Sequence, residues 1–255
     1  MSAKIADAAL IDLERVRSAL LREAKRLVLK LDTKRGSAQL ATDREAAANA
    51  LAVARELDQL LSDAGVRSVQ KLTESAAIKA LQEVAGPSAI PASAAKELQA
   101  IVDGQTAEVA KVFGAAASEM RQLLAVATTS TNAISLADLE EAVAAKLDAT
   151  ISKARPAIDA AVMGAGRFAT VFATEQASEQ EGFDFVYLFE GPLDKTTRPF
   201  CRQHLGKAYT KAALDRLRNG QLEPVSTFCG GYNCRHDLTP LLVATARRQG
   251  VEIVE

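Results

Sequence analysis

Two stretches decide how this chain is organised: CRQHLGK (residues 201–207) and CGGYNCRH (residues 229–236). Together they contain all three cysteines and both histidines of a 255-residue protein. The first 200 residues have neither residue type. We therefore expect any thiolate or imidazole chemistry to belong to one small C-terminal module, which the rest of the chain presents or anchors.

The spacing within these stretches is typical of a metal site. Cys201-x-x-His204 and Cys229-x4-Cys234 offer two ligand pairs, and two glycines in the second pair permit a tight backbone turn. A structural zinc ion takes four nitrogen or sulfur ligands in a tetrahedron, and such ligands often come in close pairs. The sequence predicts a structural zinc ion held by Cys201, His204, Cys229 and Cys234. His236 is a fifth candidate, which can replace His204 or support the ligands.

Two alternatives without a metal use the same residues. Cys229 and Cys234 can form a disulfide in a mature extracellular particle, or all three thiols can be small buried side chains beside two ordinary histidines. Three cysteines are too few for a disulfide-rich secreted scaffold, and an odd number leaves one unpaired, so we expect synthesis in a reducing cytoplasm.

A catalytic alternative is a small metal-independent ribonuclease. In such an enzyme, histidine acts as general acid or base and a cation stabilises the phosphorane-like transition state. The candidates are Asp194, Lys195, Arg198, His204, Tyr209, Arg235 and His236. No spacing fixes these residues as a catalytic group, so the sequence does not favour an enzyme.

The composition favours a mainly helical protein. Hydrophobic residues make up 48% of the chain, but aromatic residues only 4%, and tryptophan is absent. The apolar side chains are mostly Ala, Leu and Val, which suit helices better than a sandwich or barrel. A net charge of −1 gives no overall attraction to nucleic acid. The sequence has no signal-peptide pattern and no apolar run near the roughly 18 residues that span a bilayer, so we expect a soluble protein without a membrane anchor.

Residues 1–180 are predicted to form a bundle of long antiparallel helices. Apolar side chains recur there at spacings of three and four. Gly65 is expected to stop the second helix, and Pro156 to kink or restart the last one. The second predicted helix begins at a capping box over residues 42–45, and the last begins at Ser135 after a loop over 128–132. The predicted helices cover residues 5–31, 42–63, 67–84, 92–127 and 135 onward.

Residues 181–255 are predicted to form a small α+β module. Eight of the eleven aromatic residues lie from Phe183 onward. Alternation over residues 183–189 predicts a strand with one aromatic face, and helices are expected over 210–218 and 238–249. A domain of about 70 residues is marginally stable without a staple, which gives a zinc ion a structural purpose.

The module resembles a known family from Phe172 to Leu241. The pattern is a Thr-Glu step, a Gly, an aromatic strand, Asp-x-Thr-Thr, Cys-x-x-His-x-Gly-x-x-Tyr, and later a Pro and Cys-Arg. The matching residues are Thr174, Glu175, Gly182, 183–189, Asp194, Thr196, Thr197, Arg198, Cys201, His204, Gly206, Tyr209, Pro224 and 233–235. This pattern is similar to that of the phage head morphogenesis family, the minor head proteins related to the F protein of phage Mu.

The resemblance implies a non-enzymatic virion protein, made in the host cytoplasm. A few copies would lie in the head, contact portal, capsid or scaffold proteins, and be able to leave with the packaged DNA. The chain departs from the family at His236, where the family has the last Cys of Cys-Arg-Cys, and at Cys229, which stands upstream of the family's His. The alternatives are a nuclease or toxin-like effector carried by the particle, and a zinc-ribbon-like binding module on a helical stalk.

Overall fold

A computed structural model of the chain describes residues 2–31, 33, 44–85, 91–129 and 134–255. It confirms a mainly helical protein with long helices followed by a small α+β module. No helix among these residues is long and apolar enough to cross a membrane. The long helices are α1 (Ser2–Val28), α2 (Arg44–Gln59), α3 (Val66–Ala85), α4 (Ala92–Thr129) and α5 (Leu136–Glu181).

Gly65 does not end a helix, contrary to the sequence prediction. A π-helical segment, Leu60–Gly65, joins α2 directly to α3. Gly65 is buried, and a Cβ atom built on it would lie 2.6 Å from Cε1 of Phe113. The glycine therefore admits an aromatic ring against the backbone rather than terminating the helix. The predicted capping box starts at Thr42, outside the described residues.

α5 starts as predicted but runs without interruption. The Ser135 hydroxyl accepts a hydrogen bond from the amide of Asp138 (3.1 Å), which confirms it as the helix cap. Pro156 lies inside the 46-residue helix, so the predicted restart is not observed. The proline removes one amide donor, and the buried residues Ala154 and Ile158 on either side keep the helix packed.

Tertiary contacts divide the chain into two compact units. One comprises Met1–Ala9, Thr73–Gln105 and Pro156–Glu255, and the other Leu10–Leu72 and Thr106–Arg155. The predicted boundary at residue 181 marks the change from helix to sheet, but the second half of α5 belongs to the same compact unit as the sheet.

The module contains a four-stranded sheet in the order β3-β1-β2-β4. The central strand β1 (Phe185–Glu190) is antiparallel to β2 (Ala208–Tyr209) and to β3 (Asp237–Leu242), while β2 is parallel to β4 (Ile253–Val254). The predicted strand is thus confirmed, although Phe183 lies before it. The short helices are α6 (Pro199–His204), α7 (Lys211–Arg216), α8 (Val225–Phe228) and α9 (Val243–Arg248).

The helix predicted over residues 238–249 is wrong in its first half. Residues 237–242 form β3, and only Val243–Arg248 is helical. All six residues of β3 pair with β1, so the backbone groups find partners in the sheet rather than in a helix. Pro240 lacks an amide donor, which an edge strand such as β3 tolerates and a helix interior does not.

Both faces of the sheet are covered. Tyr187 and Phe189 lie in a buried cluster with Val171 of α5 and all three cysteines. On the other face, Val186 packs with Ala246 of α9. The predicted aromatic face therefore exists, and it is the face on which the cysteines lie.

Candidate metal centre

A hydrogen-bonded turn places the first cysteine. The Asp194 carboxylate accepts hydrogen bonds from the Thr196 amide (2.9 Å) and from the Thr196 and Thr197 hydroxyls, and it pairs with Arg235 (2.8 Å). The hydrogen bond from Thr196, followed by that from Arg235, holds the pKa of Asp194 well below its usual value. This turn leads into α6, which carries Cys201 on its buried side.

Donor atoms of Cys201, Cys234 and His236 lie close together near the start of β3. The Sγ atoms of Cys201 and Cys234 are 3.7 Å apart, and Cys234 Sγ lies 3.7 Å from Nδ1 of His236. One ligand atom from each of the three residues lies within 4.8 Å of the others, and the group can hold a metal ion. A tetrahedral zinc ion with Zn–S of about 2.3 Å and Zn–N of about 2.0 Å has S···S and S···N edges of roughly 3.8 and 3.5 Å. The two distances measured from Cys234 Sγ are close to those edges.

The His236 imidazole is available to a metal. Its Nδ1 faces the Cys234 sulfur, and its Nε2 is buried without a hydrogen-bond partner in the described part of the chain. No strong hydrogen bond therefore competes for the ring. Gly191 makes room for it, because a Cβ atom at that position would lie 2.8 Å from Cδ2 of His236.

His204 lies apart from this group, which differs from the predicted ligand set. Its Nδ1 is 2.6 Å from the hydroxyl of Tyr209 on β2, and its ring centroid is 4.3 Å from that of Phe200. Burial, and secondarily the charge of Lys207, lowers the pKa of His204. The neutral imidazole is thus committed to a hydrogen bond and an aromatic contact.

Cys229 lies beside the group without joining it. It is fully buried, in the same hydrophobic cluster as Cys201 and Cys234. Its backbone adopts φ +46°, which is unusual for a residue with a side chain and costs on the order of 1–3 kcal/mol. Burial, followed by the hydrogen bond to Cys234, raises the pKa of the Cys229 thiol.

Cys234 is the sulfur at the centre of the hydrogen bonds in this group. Hydrogen bonds with Cys201 and Cys229 lower the pKa of Cys234. The amide of Gly230 also donates to its sulfur at 3.2 Å. The hydrogen bond between the Cys201 and Cys234 thiols, followed by burial, raises the pKa of Cys201. All three cysteines are free thiols, so neither Cys229 nor Cys234 is in a disulfide.

Two arginines hold the loops that carry the ligands. Arg198 donates to the carbonyl oxygens of Gly230 and Tyr232, and Arg167 donates to the carbonyl oxygens of Cys234 and His236. Arg198 was a catalytic candidate in the sequence, and here it braces the loop. Arg167 was missed; the available signal was a charged residue in an otherwise apolar stretch of α5.

The other ribonuclease candidates form separate pairs. Asp194 pairs with Arg235, and His204 pairs with Tyr209. Lys195 is exposed, whereas the two histidines are 8% and 3% exposed. The structure therefore brings together the cysteines and one histidine, not the predicted acid, base and cation.

Comparison with known proteins identifies no relative. No protein-family model, curated protein or solved structure gives a significant match to this chain. The resemblance to phage head proteins therefore stays a prediction based on the motif. The chemistry of the cysteine and histidine group is the feature from which a function can be argued.

Proposed function

We propose that this chain is a non-enzymatic structural protein whose C-terminal module is stapled by one zinc ion. The observation that carries this proposal is the convergence of the Cys201, Cys234 and His236 donor atoms within 4.8 Å of one another, with two of the distances, both from Cys234 Sγ, close to the edges of a zinc tetrahedron. All three residues are at most 9% exposed. Structural zinc sites are closed in this way, whereas catalytic sites keep one position open to substrate.

Cys229 is our candidate for the fourth ligand. Cys229 lies in the same buried cluster as Cys201 and Cys234, and its positive φ keeps a side chain where glycine would be less strained. A zinc ion would join α6 to the 229–236 loop and so fix the sulfur-lined side of the sheet. Ligand binding of this kind adds directly to folding free energy.

We further propose that the protein is a minor head component of a phage virion. Support comes from the motif, whose members contact one another: Asp194 with Arg235, and Cys201 with Cys234. Its long helices offer extended surfaces for portal, capsid or scaffold proteins and for further copies of the chain. The burial of both histidines supports this proposal over a carried nuclease.

The metal part of the proposal is tested by elemental mass spectrometry with thiol titration under denaturing, non-reducing conditions. We expect one zinc ion and three free thiols per chain. If the protein has no metal and one free thiol per chain, a disulfide is present instead of the metal centre. Cys234→Ser should lose the zinc ion and unfold residues 183–241, whereas Cys229→Ser should weaken zinc binding without abolishing it.

The virion part is tested by mass spectrometry of purified phage particles from cells that carry the gene. We expect the chain in DNA-containing heads, at a few copies per portal. Its absence from heads would overturn the assignment while leaving the metal centre intact. A zinc-ribbon-like nucleic-acid module is the alternative, and salt-dependent binding of the purified chain to DNA or RNA would favour it.

A further inference from the structure

A buried arginine of α5 reaches the candidate metal centre. Arg167 is 3% exposed, and its Nη2 donates hydrogen bonds to the carbonyl oxygens of Cys234 (2.9 Å) and His236 (2.8 Å). Its Nε lies 3.3 Å from Oδ1 of Asp237, the first residue of β3. One guanidinium thus holds the backbone at both ligands that precede β3.

We propose that Arg167 is a positioning residue for the metal centre and couples metal binding to the packing of α5 on the C-terminal module. This inference rests on the zinc centre proposed above. Outer hydrogen bonds orient metal ligands, and their removal costs on the order of 10–100-fold in metal affinity. Arg167 acts on the carbonyls of two ligands and not on their donor atoms, so its effect passes through the backbone.

Charge favours the same assignment. A guanidinium is rarely buried unless negative groups compensate it. Arg167 lies 3.3 Å from the Asp237 carboxylate, and its hydrogen bond to the carbonyl of Cys234 holds it beside that ligand. A divalent metal ion bound by more than two thiolates forms a site with a net negative charge. A buried cation offsets that charge. The positive charge is therefore matched to the ligands as well as to the carboxylate.

Arg167 lies in a row of α5 residues that face the module. Gly164, Arg167, Val171 and Glu175 recur at spacings of three and four, which puts them on one face of the helix. A Cβ atom at Gly164 would lie 2.9 Å from Cε1 of Phe228. Val171 and Glu175 accept hydrogen bonds from the hydroxyl of one buried tyrosine of β1. Of these four residues, Arg167 is the one that contacts the ligand backbone.

The coupling follows from this shared contact. When a metal fixes Cys234 and His236, their carbonyls are held where Arg167 needs them, so α5 packs more stably. Thermodynamic linkage is reciprocal, so the packing of Arg167 against these carbonyls raises metal affinity by the same factor by which metal binding favours that packing. The two effects are one coupling free energy.

The first test is zinc affinity of full-length variants, measured by competition with a chromogenic chelator. Arg167→Gln should bind zinc on the order of 10–100-fold more weakly than wild type. Arg167→Lys keeps the charge but not the forked donors, so it should lose less. The control is Arg218→Gln, because Arg218 is exposed and also donates to backbone carbonyls, those of Asp215 and Leu217; its affinity should be unchanged.

The second test is hydrogen exchange of residues 164–178 with and without zinc. Chelation should speed exchange of these α5 amides in wild type, whereas in Arg167→Gln zinc should make no difference to them. A residue that merely filled space would not abolish the response to zinc. α2, which lies in the other compact unit, is the internal control and should not respond.

The outcomes separate the two proposals. A wild-type chain without zinc would overturn both. A wild type that binds zinc, with Arg167→Gln at the same affinity or with α5 exchange indifferent to zinc, would overturn the coupling alone. If Arg167→Gln does not fold, the test uses the zinc affinity of Arg167→Lys and the hydrogen exchange of the wild type. A zinc affinity of Arg167→Lys equal to that of the wild type would contradict the positioning role.

Discussion

A Cβ atom on Gly230 would lie 2.2 Å from the Sγ of Cys201. The same atom would be 3.2 Å from the Sγ of Cys234. Gly230 is therefore the residue that lets two sulfur atoms approach the loop backbone, and any side chain there enters the space between the ligands.

Gly230→Ala should consequently lose the zinc ion and destabilise the module by about 1–3 kcal/mol through overpacking. Metal content and urea unfolding followed by circular dichroism measure the two effects. The matched control is Gly104→Ala, because Gly104 lies inside α4 with no atom within 4 Å of the added Cβ. It should keep its zinc and gain about 0.5–1 kcal/mol in helix propensity. Full zinc content in Gly230→Ala would contradict the site geometry.

Arg198 provides a second prediction, for the loop that precedes the ligands. It donates to the carbonyls of Gly230 and Tyr232 and to the side chain of Gln221 (2.9 Å). Hydrogen bonds from a charged donor contribute about 1.5–3 kcal/mol, so Arg198→Ala should destabilise the module by roughly that amount. Urea unfolding measures the loss. Arg216→Ala, on the exposed side of α7, is the control, and equal stability of the two variants would refute the bracing role.

Local sequence patterns were sufficient for much of the fold. The periodicity of the long helices, the Ser135 cap and the aromatic strand all depend on neighbouring residues, and all are observed. Residues 238–242 could not be assigned in this way. These residues form a strand because they pair with β1, which lies about fifty residues earlier in the chain.

The residue types of the candidate site could be predicted from the sequence, but not which individual residues form it. Cysteine and histidine spacing identified the region, yet the sequence could not distinguish His204 from His236. That choice depends on Tyr209, whose strand pairing brings its hydroxyl to His204, and on β3, which begins directly after His236 and holds it beside Cys234. Arg167 lies 67 residues before Cys234, so no spacing rule connects them.

Tyr187 gives a prediction for alkaline pH. Its hydroxyl donates a hydrogen bond to Glu175 and lies 3.4 Å from the carbonyl oxygen of Val171. Burial, followed by the bond to Glu175, raises the pKa of Tyr187 above its usual value. The folded state therefore disfavours the phenolate. Its contribution to stability is complete below the unfolded value of about 10 and is lost as the pH rises above it.

Tyr187→Phe should lower stability by about 1 kcal/mol at neutral pH. It should also remove part of the loss in stability that wild type shows above pH 10. Urea unfolding of both proteins between pH 7 and pH 11 tests this, with absorbance of the tyrosinate as a second readout. The idea fails if the stability difference between the two proteins does not shrink at high pH.

The two histidines provide the sharpest test of the ligand set. His236 has one ring nitrogen 3.7 Å from the Cys234 sulfur, whereas Nδ1 of His204 is occupied by the hydroxyl of Tyr209. His236→Gln should therefore abolish stoichiometric zinc binding. His204→Gln should keep one zinc ion and lose about 1 kcal/mol with the lost hydrogen bond. Elemental mass spectrometry of the two variants, side by side, measures the zinc content. The reverse result, zinc retained in His236→Gln and lost in His204→Gln, would restore the ligand set predicted from the sequence, because only His204 would then be required to complete the tetrahedron.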